Sequence, residues 1–248
     1  MKKIYVAIFL LVLFACDNQN GKQKITIAAA ASTQFAVNEL ADEFGKKYNI
    51  ELVVITGSSG KLTTQIMNGA PYDIFFSANM NYPNKLFDNK NAIEKPKVYG
   101  FGVPVLWTLD MNLKMNEDGQ FLLDSDVKKV AIANPKNAPY GSMAVKFMKD
   151  KGVYDSVQSK LVYGESISLV NEYILNKTAT IGVSAKSIVL SPRVKEEGNY
   201  LPLSKKYWIE QGIVELSNTE SSEIKKKFMN FVFSDFAQNI LNKYGYEK

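Results

Sequence analysis

Four short segments place hydroxyls or glycines where an extended run gives way to an amphipathic one: Ala31-Ser32-Thr33, Gly57-Ser58-Ser59-Gly60, Pro139-Tyr140-Gly141-Ser142 and Glu165-Ser166-Ile167. Each junction alone reads as capping or turn chemistry, because Ser and Thr are favoured N-caps and Gly-Ser stretches make tight turns. Together they point to anion binding. A helix start exposes N–H groups without intrahelical partners and carries about half a positive charge. Four of them aimed into one cleft would offset about two negative charges, which matches a divalent oxyanion without any buried lysine or arginine. Fixed N–H and O–H donors test size and shape, whereas a mobile ammonium mostly tests charge. A fully deprotonated oxyanion accepts from all of them. A protonated one needs an acceptor, and the segments offer only Glu165.

Other chemistries are removed by composition. The chain has no histidine, which excludes Ser-His-Asp and Cys-His catalysis, histidine-ligated zinc and a histidine general base. Gly57-Ser58-Ser59-Gly60 has the outline of a nucleophile elbow, so a serine hydrolase using Ser59 with Lys61 as base stands as the remote alternative; otherwise no enzyme activity is expected. The sequence holds 30 basic and 25 acidic residues. Setting aside Lys2 and Lys3 leaves 28 against 25, a net charge near +3 that does not indicate nucleic acid.

Lys2 and Lys3 are set aside because they precede an apolar run, residues 4–15, that is too short for a stable membrane anchor and has the layout of an export signal. Leu13-Phe14-Ala15-Cys16 resembles a bacterial lipobox, so residues 1–15 are expected to be removed, Cys16 acylated, and residues 16–23 left as a tether. The alternative is an ordinary signal peptide with an incidental cysteine. Cys16 is the only cysteine, so the exported body has no disulfide framework.

The elements that must position the four segments alternate in type. Residues 25–30 read as a strand and 32–48 as a helix, with Ala36, Leu40, Phe44 and Tyr48 forming an apolar stripe and Glu39, Asp42, Glu43 and Lys46 opposite it. A strand at 51–55, a helix through Met67 stopped by Asn68-Gly69-Ala70-Pro71, and a strand at 73–78 complete a parallel α/β series. Residues 98–109, interrupted by Gly100, Gly102 and Pro104, read as a passage between domains. A second series follows: strands at 130–133, 161–163 and 178–183, and helices at 141–151 and 167–175. Residues 209–216 can carry the chain back, and a single long helix is expected over 221–244. The reading is an α/β, two-lobed fold, each lobe a mostly parallel sheet flanked by helices, joined by two crossover segments. Residues 24–102 with 209–248 form one lobe and 103–208 the other. Strand-to-helix junctions lie at the carboxyl ends of parallel strands, where ligands bind, so two segments would face the cleft from each lobe.

At these residues the chain resembles the periplasmic molybdate-binding proteins of ABC importers. The resemblance runs from Lys24 to about Tyr244, through Ala29-Ala30-Ala31-Ser32, Ser58-Ser59 before Leu62 and Gln65-Ile66, Gly69-Ala70-Pro71-Tyr72-Asp73-Ile74-Phe75-Phe76-Ser77-Ala78, Asn134-Pro135 leading to Pro139-Tyr140-Gly141, and Ile181-Gly182-Val183. It implies a type II periplasmic binding fold with no cofactor, whose ligand is molybdate or tungstate. Ser32 and Ser59 would donate from one lobe and the amides of Tyr140 and Ile167 from the other, with Ser58, Ala31, Ser184 and Ala185 as secondary positions. The metal enters as an oxyanion and has no direct protein ligand. Family members often carry a tyrosine two residues beyond the aligned Val183. Here that residue is Ala185, for which Ser184 or Ser187 could substitute. Sulfate, phosphate and chromate are the alternative ligands. The partners implied are the anion, an ABC permease and, through Cys16, the membrane; a monomer is expected.

Overall fold

The structure, a computed structural model, describes residues 24–194, 196–217, 219 and 223–248. The export segment, Cys16 and the tether lie outside the described residues.

β1 (Lys24–Ala30) leads through a single 3-10 turn, Ala31–Thr33, into α1 (Gln34–Tyr48). The helix therefore begins two residues later than its apolar pattern implied, because Thr33 Oγ1 donates to Ala30 O at 2.8 Å and tightens the entry. β2 (Glu51–Gly57), α2 (Ser59–Met67), β3 (Ile74–Ser77), α3 (Asn81–Asp88) and β4 (Lys97–Gly102) follow. The chain then crosses to a second sheet through β5 (Pro104–Thr108), β6 (Val130–Ala133), α4 (Pro139–Asp150), α5 (Tyr154–Val157), β7 (Leu161–Gly164), α6 (Ile167–Leu175), β8 (Ile181–Ala185), α7 (Lys186–Val189) and β9 (Asn199–Pro202). It returns on β10 (Ile209–Glu215) and ends in α8 (Glu223–Val232) and α9 (Asp235–Lys243).

The strand orders are β2-β1-β3-β10-β4 and β7-β6-β8-β5-β9. β1 pairs in parallel with β2 and β3, and β6 with β7 and β8, as the alternating pattern required. The crossing strands run the other way: β10 is antiparallel to β3 and β4, and β5 to β8 and β9, so both sheets are mixed. The two orders repeat one plan, although the sequence shows no internal repeat. At the first crossing Gly102 is required sterically, because a Cβ there would fall on the side-chain amide of Gln211 and the hydroxyl of Tyr140.

The core of the first lobe joins the buried stripe of α1 (Ala36, Val37, Leu40, Ala41, Phe44) to Ile25, Ile27, Ile74 and Phe76 of the sheet and to Phe228, Val232, Ile240 and Leu241 of α8 and α9. The expected single terminal helix is broken. Ser234 caps α9 by accepting from Ala237 N at 3.3 Å, and its own hydroxyl donates to Phe231 O at 2.7 Å. This local pairing competes with helix continuation. α8 is pinned by a buried ion pair: Asp73 accepts from Thr26 N (2.7 Å) and Thr219 Oγ1 (2.6 Å) and meets Lys225 Nζ at 2.7 Å.

Candidate anion-binding site

The four segments converge. Ala31, Ser32, Ser58, Ser59, Tyr140 and Ile167 line one cavity of about 10 Å³ between the lobes, together with the small residues Ala30, Gly57, Ala78, Ala138 and Pro139. That volume is room for about one water molecule, far below the range for drug-sized ligands. No lysine, arginine, aspartate or glutamate is in the lining. Burial, together with the neighbouring Tyr246 phenol, pushes the Tyr140 phenol well above its usual range, so it stays neutral.

The helix starts at this cavity are not capped by side chains. Neither Ser58 before α2, Ala138 before α4, nor Ser166 before α6 makes a side-chain cap bond, in contrast to Ser234 before α9. The first amide of each has no intrahelical acceptor and no side-chain cap, while the next amide of α2, Gly60 N, donates to Asn137 O. Pro139 opens α4, so the first N–H of that helix is Tyr140's.

The serine hydroxyls divide into two kinds. Ser32 Oγ and Ser58 Oγ are buried without a well-formed hydrogen bond, and the Tyr140 phenol lies beside the Ser32 hydroxyl. A buried polar group left this way costs about 1 to 3 kcal/mol, which binding of an acceptor would recover. Ser59 Oγ is fully buried and accepts from Ala78 N at 3.0 Å, which leaves its O–H hydrogen to donate.

Behind the cavity a polar network holds Ser32 and Tyr140. Ser187 Oγ donates to Ser32 O at 2.6 Å and Tyr246 OH donates to the same carbonyl at 3.4 Å. Gln211 Nε2 donates to Tyr140 OH at 3.1 Å, and Gln211 Oε1 accepts from Tyr99 OH at 2.6 Å. Gln211 sits at the β10 bulge and links Tyr99 of the first lobe to Tyr140 of the second. Nothing in the sequence marked it except a polar residue in an apolar strand.

Two of the secondary positions lie outside the lining. Ser184 and Ala185 do not line the cavity. The Ser184 hydroxyl donates to Asn171 Oδ1 at 2.7 Å, and Ala185 is fully buried at the start of α7. Ser187 supports the Ser32 backbone, and the phenol that reaches the same carbonyl comes from Tyr246. The Ser59–Lys61 dyad is not formed either. Lys61 Nζ meets Glu165 Oε1 at 2.7 Å on the exposed rim, which also engages the one acceptor considered for a protonated anion. At the same rim Gly60 N donates across the cleft to Asn137 O at 2.9 Å. Asn137 was not anticipated from the sequence.

Two α/β lobes meeting over a small cavity of neutral donors define a two-lobed periplasmic binding fold. The chain belongs to the bacterial extracellular solute-binding protein family, which it matches over residues 25–247. It is 32% identical over 226 residues to the molybdate-binding protein ModA of Rhodobacter capsulatus, covering 90% of this chain and 88% of that one. It is 28% identical over 249 residues to a putative ABC transporter substrate-binding lipoprotein, YvgL, of Bacillus subtilis, covering 96% and 94%. The periplasmic molybdate-binding protein of Azotobacter vinelandii superposes with a TM-score of 0.85 at 27% identity, over 90% of this chain and 99% of that one.

Proposed function

We propose that this protein is the solute-binding lipoprotein of an ABC importer, that it traps molybdate or tungstate between its lobes, and that it presents the closed form to a membrane permease. Ser32, Ser58 and Ser59 donate their hydroxyls to the oxyanion, and the amides of Tyr140 and Ile167 donate from the second lobe. Acylation at Cys16 holds the protein at the outer face of a membrane.

The observation that carries this reading is the pair of buried, unpartnered hydroxyls, Ser32 Oγ and Ser58 Oγ, in one uncharged cavity with uncapped helix starts. Such a site favours an acceptor-only, multiply charged ligand. The larger tetrahedral oxyanion is favoured by the similarity to molybdate-binding proteins. Donors set around it leave stretched hydrogen bonds to sulfate or phosphate. A ligand that binds only the folded state raises the melting temperature with concentration. The test is a thermal-shift screen with molybdate, tungstate, sulfate, phosphate and chromate, followed by titration calorimetry. One molybdate per chain without turnover is expected. No response to molybdate or tungstate at micromolar protein refutes the ligand, and a response to sulfate or phosphate alone reassigns it.

A further inference from the structure

The end of α1 remote from the cavity carries a second feature. Lys47 and Tyr48 of its last turn, Lys227 and Phe231 of α8 and Phe236 of α9 line a groove of about 540 Å³. Phe236 is 54% exposed, and Tyr48 and the adjacent Phe233 are each 37% exposed. The Phe231 and Phe236 rings lie 6.0 Å apart, and with Tyr48 they line the groove. Lysines overlie them: Lys47 Nζ is 5.5 Å from the Tyr48 ring and Lys97 Nζ 6.0 Å from the Phe233 ring. Glu43, the carboxylate in the groove lining, is engaged by Lys46 at 2.8 Å.

This groove stands where the chain leaves for the membrane. Lys24, the first described residue, pairs in register with Glu51, three residues beyond Tyr48. The eight residues from Cys16 to Gln23 can reach at most about 29 Å even when fully extended. The cavity lies at the other end of α1, whose 15 residues rise about 22 Å. A lipid on Cys16 would therefore tether the chain from this end of the first lobe, with slack enough for the groove to reach the bilayer.

We infer that this groove is the face on which the tethered protein rests on an anionic bilayer. Phe236, Phe233 and Tyr48 enter the headgroup layer while Lys47, Lys97 and Lys227 meet lipid phosphates. Aromatic rings with an apolar body and lysines with long stems are the side chains that partition to that interface. Glu51 and Asp235 temper the local charge, so ring insertion contributes more than net charge does. The tether supplies a high effective concentration, so the contact is populated even when it is weak in free solution. In that pose the cavity end of the lobe stays in the aqueous phase.

The inference rests on the reading of Cys16 as the anchor, and the test separates the two. Cys16 is the only cysteine, so the chain from Cys16 onward can be coupled directly to a maleimide lipid in vesicles, whether or not a cell acylates it. The native tryptophans, Trp107 and Trp208, lie outside the first sheet and serve as background. With brominated anionic lipids, Phe236→Trp and separately Tyr48→Trp should raise quenching at least two-fold over the wild-type chain on the same vesicles. Lys47→Glu with Lys227→Glu should lower it, as should zwitterionic lipid. Quenching of both added tryptophans equal to background overturns the inference. So does a concentration-dependent dimer of the uncoupled chain that hides the added tryptophan, which would assign the groove to a second copy. The mass of the chain secreted by a lipoprotein-processing host tests acylation separately.

Discussion

Gly60→Ala should weaken ligand binding without weakening the fold. Gly60 occupies the first turn of α2, at the point where the lobes touch across the cleft. A Cβ there would lie 2.8 Å from Asn137 Cβ, 2.9 Å from Asn137 Cα and 2.9 Å from the Tyr82 hydroxyl. Carbon atoms pack at about 3.5 to 4.0 Å, so the rim must open by roughly 1 Å. That shift stretches the Gly60 N to Asn137 O bond, now 2.9 Å, and moves the amides of Tyr140 and Ile167 away from the serines of the first lobe. One lost hydrogen bond is worth about 0.5 to 1.5 kcal/mol, and misplaced donors add a similar amount. Together they give about 2 kcal/mol, or roughly thirty-fold in Kd. Alanine is the better helix former by up to about 1 kcal/mol, so the ligand-free melting temperature should hold or rise. Titration calorimetry with molybdate, beside a thermal melt of the free protein, reads both. Binding within two-fold of wild type would refute the view that lobe contact at Gly60 contributes to affinity. Lys61→Met is the matched control, because its rim ion pair is exposed and is worth at most about 1 kcal/mol.

The serines should separate by partner. Ser32→Ala and Ser58→Ala should each cost about 1 to 3 kcal/mol of molybdate affinity and little of the free protein's stability, since neither hydroxyl makes a well-formed hydrogen bond. Ser59→Ala should lower both, because Ala78 N is left unpaired, and calorimetry beside thermal melts distinguishes the two patterns. Burial first, and then neighbouring phenols, push the Tyr99 and Tyr140 phenols well above their usual range; burial also raises Tyr246. Their protons are held more tightly in the folded state, so their contribution to stability is complete below pH 10 and declines as pH rises beyond it. Melting temperature followed from pH 8 to 11 should therefore fall above pH 10, and a curve flat to pH 11 contradicts the burial assigned to them. Lys225→Met breaks the buried pair with Asp73 and should cost about 3 to 5 kcal/mol in urea unfolding, with a change below 1 kcal/mol refuting its role as a staple.

Most strands and helices were legible because burial repeats along the chain. The α1 stripe and the β1, β2, β3 series were read from periodicity, and the structure places them in one lobe. Boundaries moved where side chains bond to nearby backbone, as Thr33 does at the entry to α1 and Ser234 does between α8 and α9. The antiparallel crossing strands β5 and β10 could not be oriented from the sequence, since hydrophobic pattern is silent on strand direction. Short elements with little pattern, such as α3, α7 and β9, were not anticipated.

The sequence alone pointed to the type of chemistry proposed. A chain without histidine, with hydroxyls and glycines at four strand-to-helix junctions, offers candidate donors for an anion and no histidine base. Which donors are free was decided only by the tertiary structure. A serine hydroxyl has one proton and nearby groups compete for it: Asn171 takes that of Ser184, the Ser32 carbonyl takes that of Ser187, and those of Ser32 and Ser58 are left facing the cavity. That competition is between residues far apart in the chain, so no local pattern records its outcome.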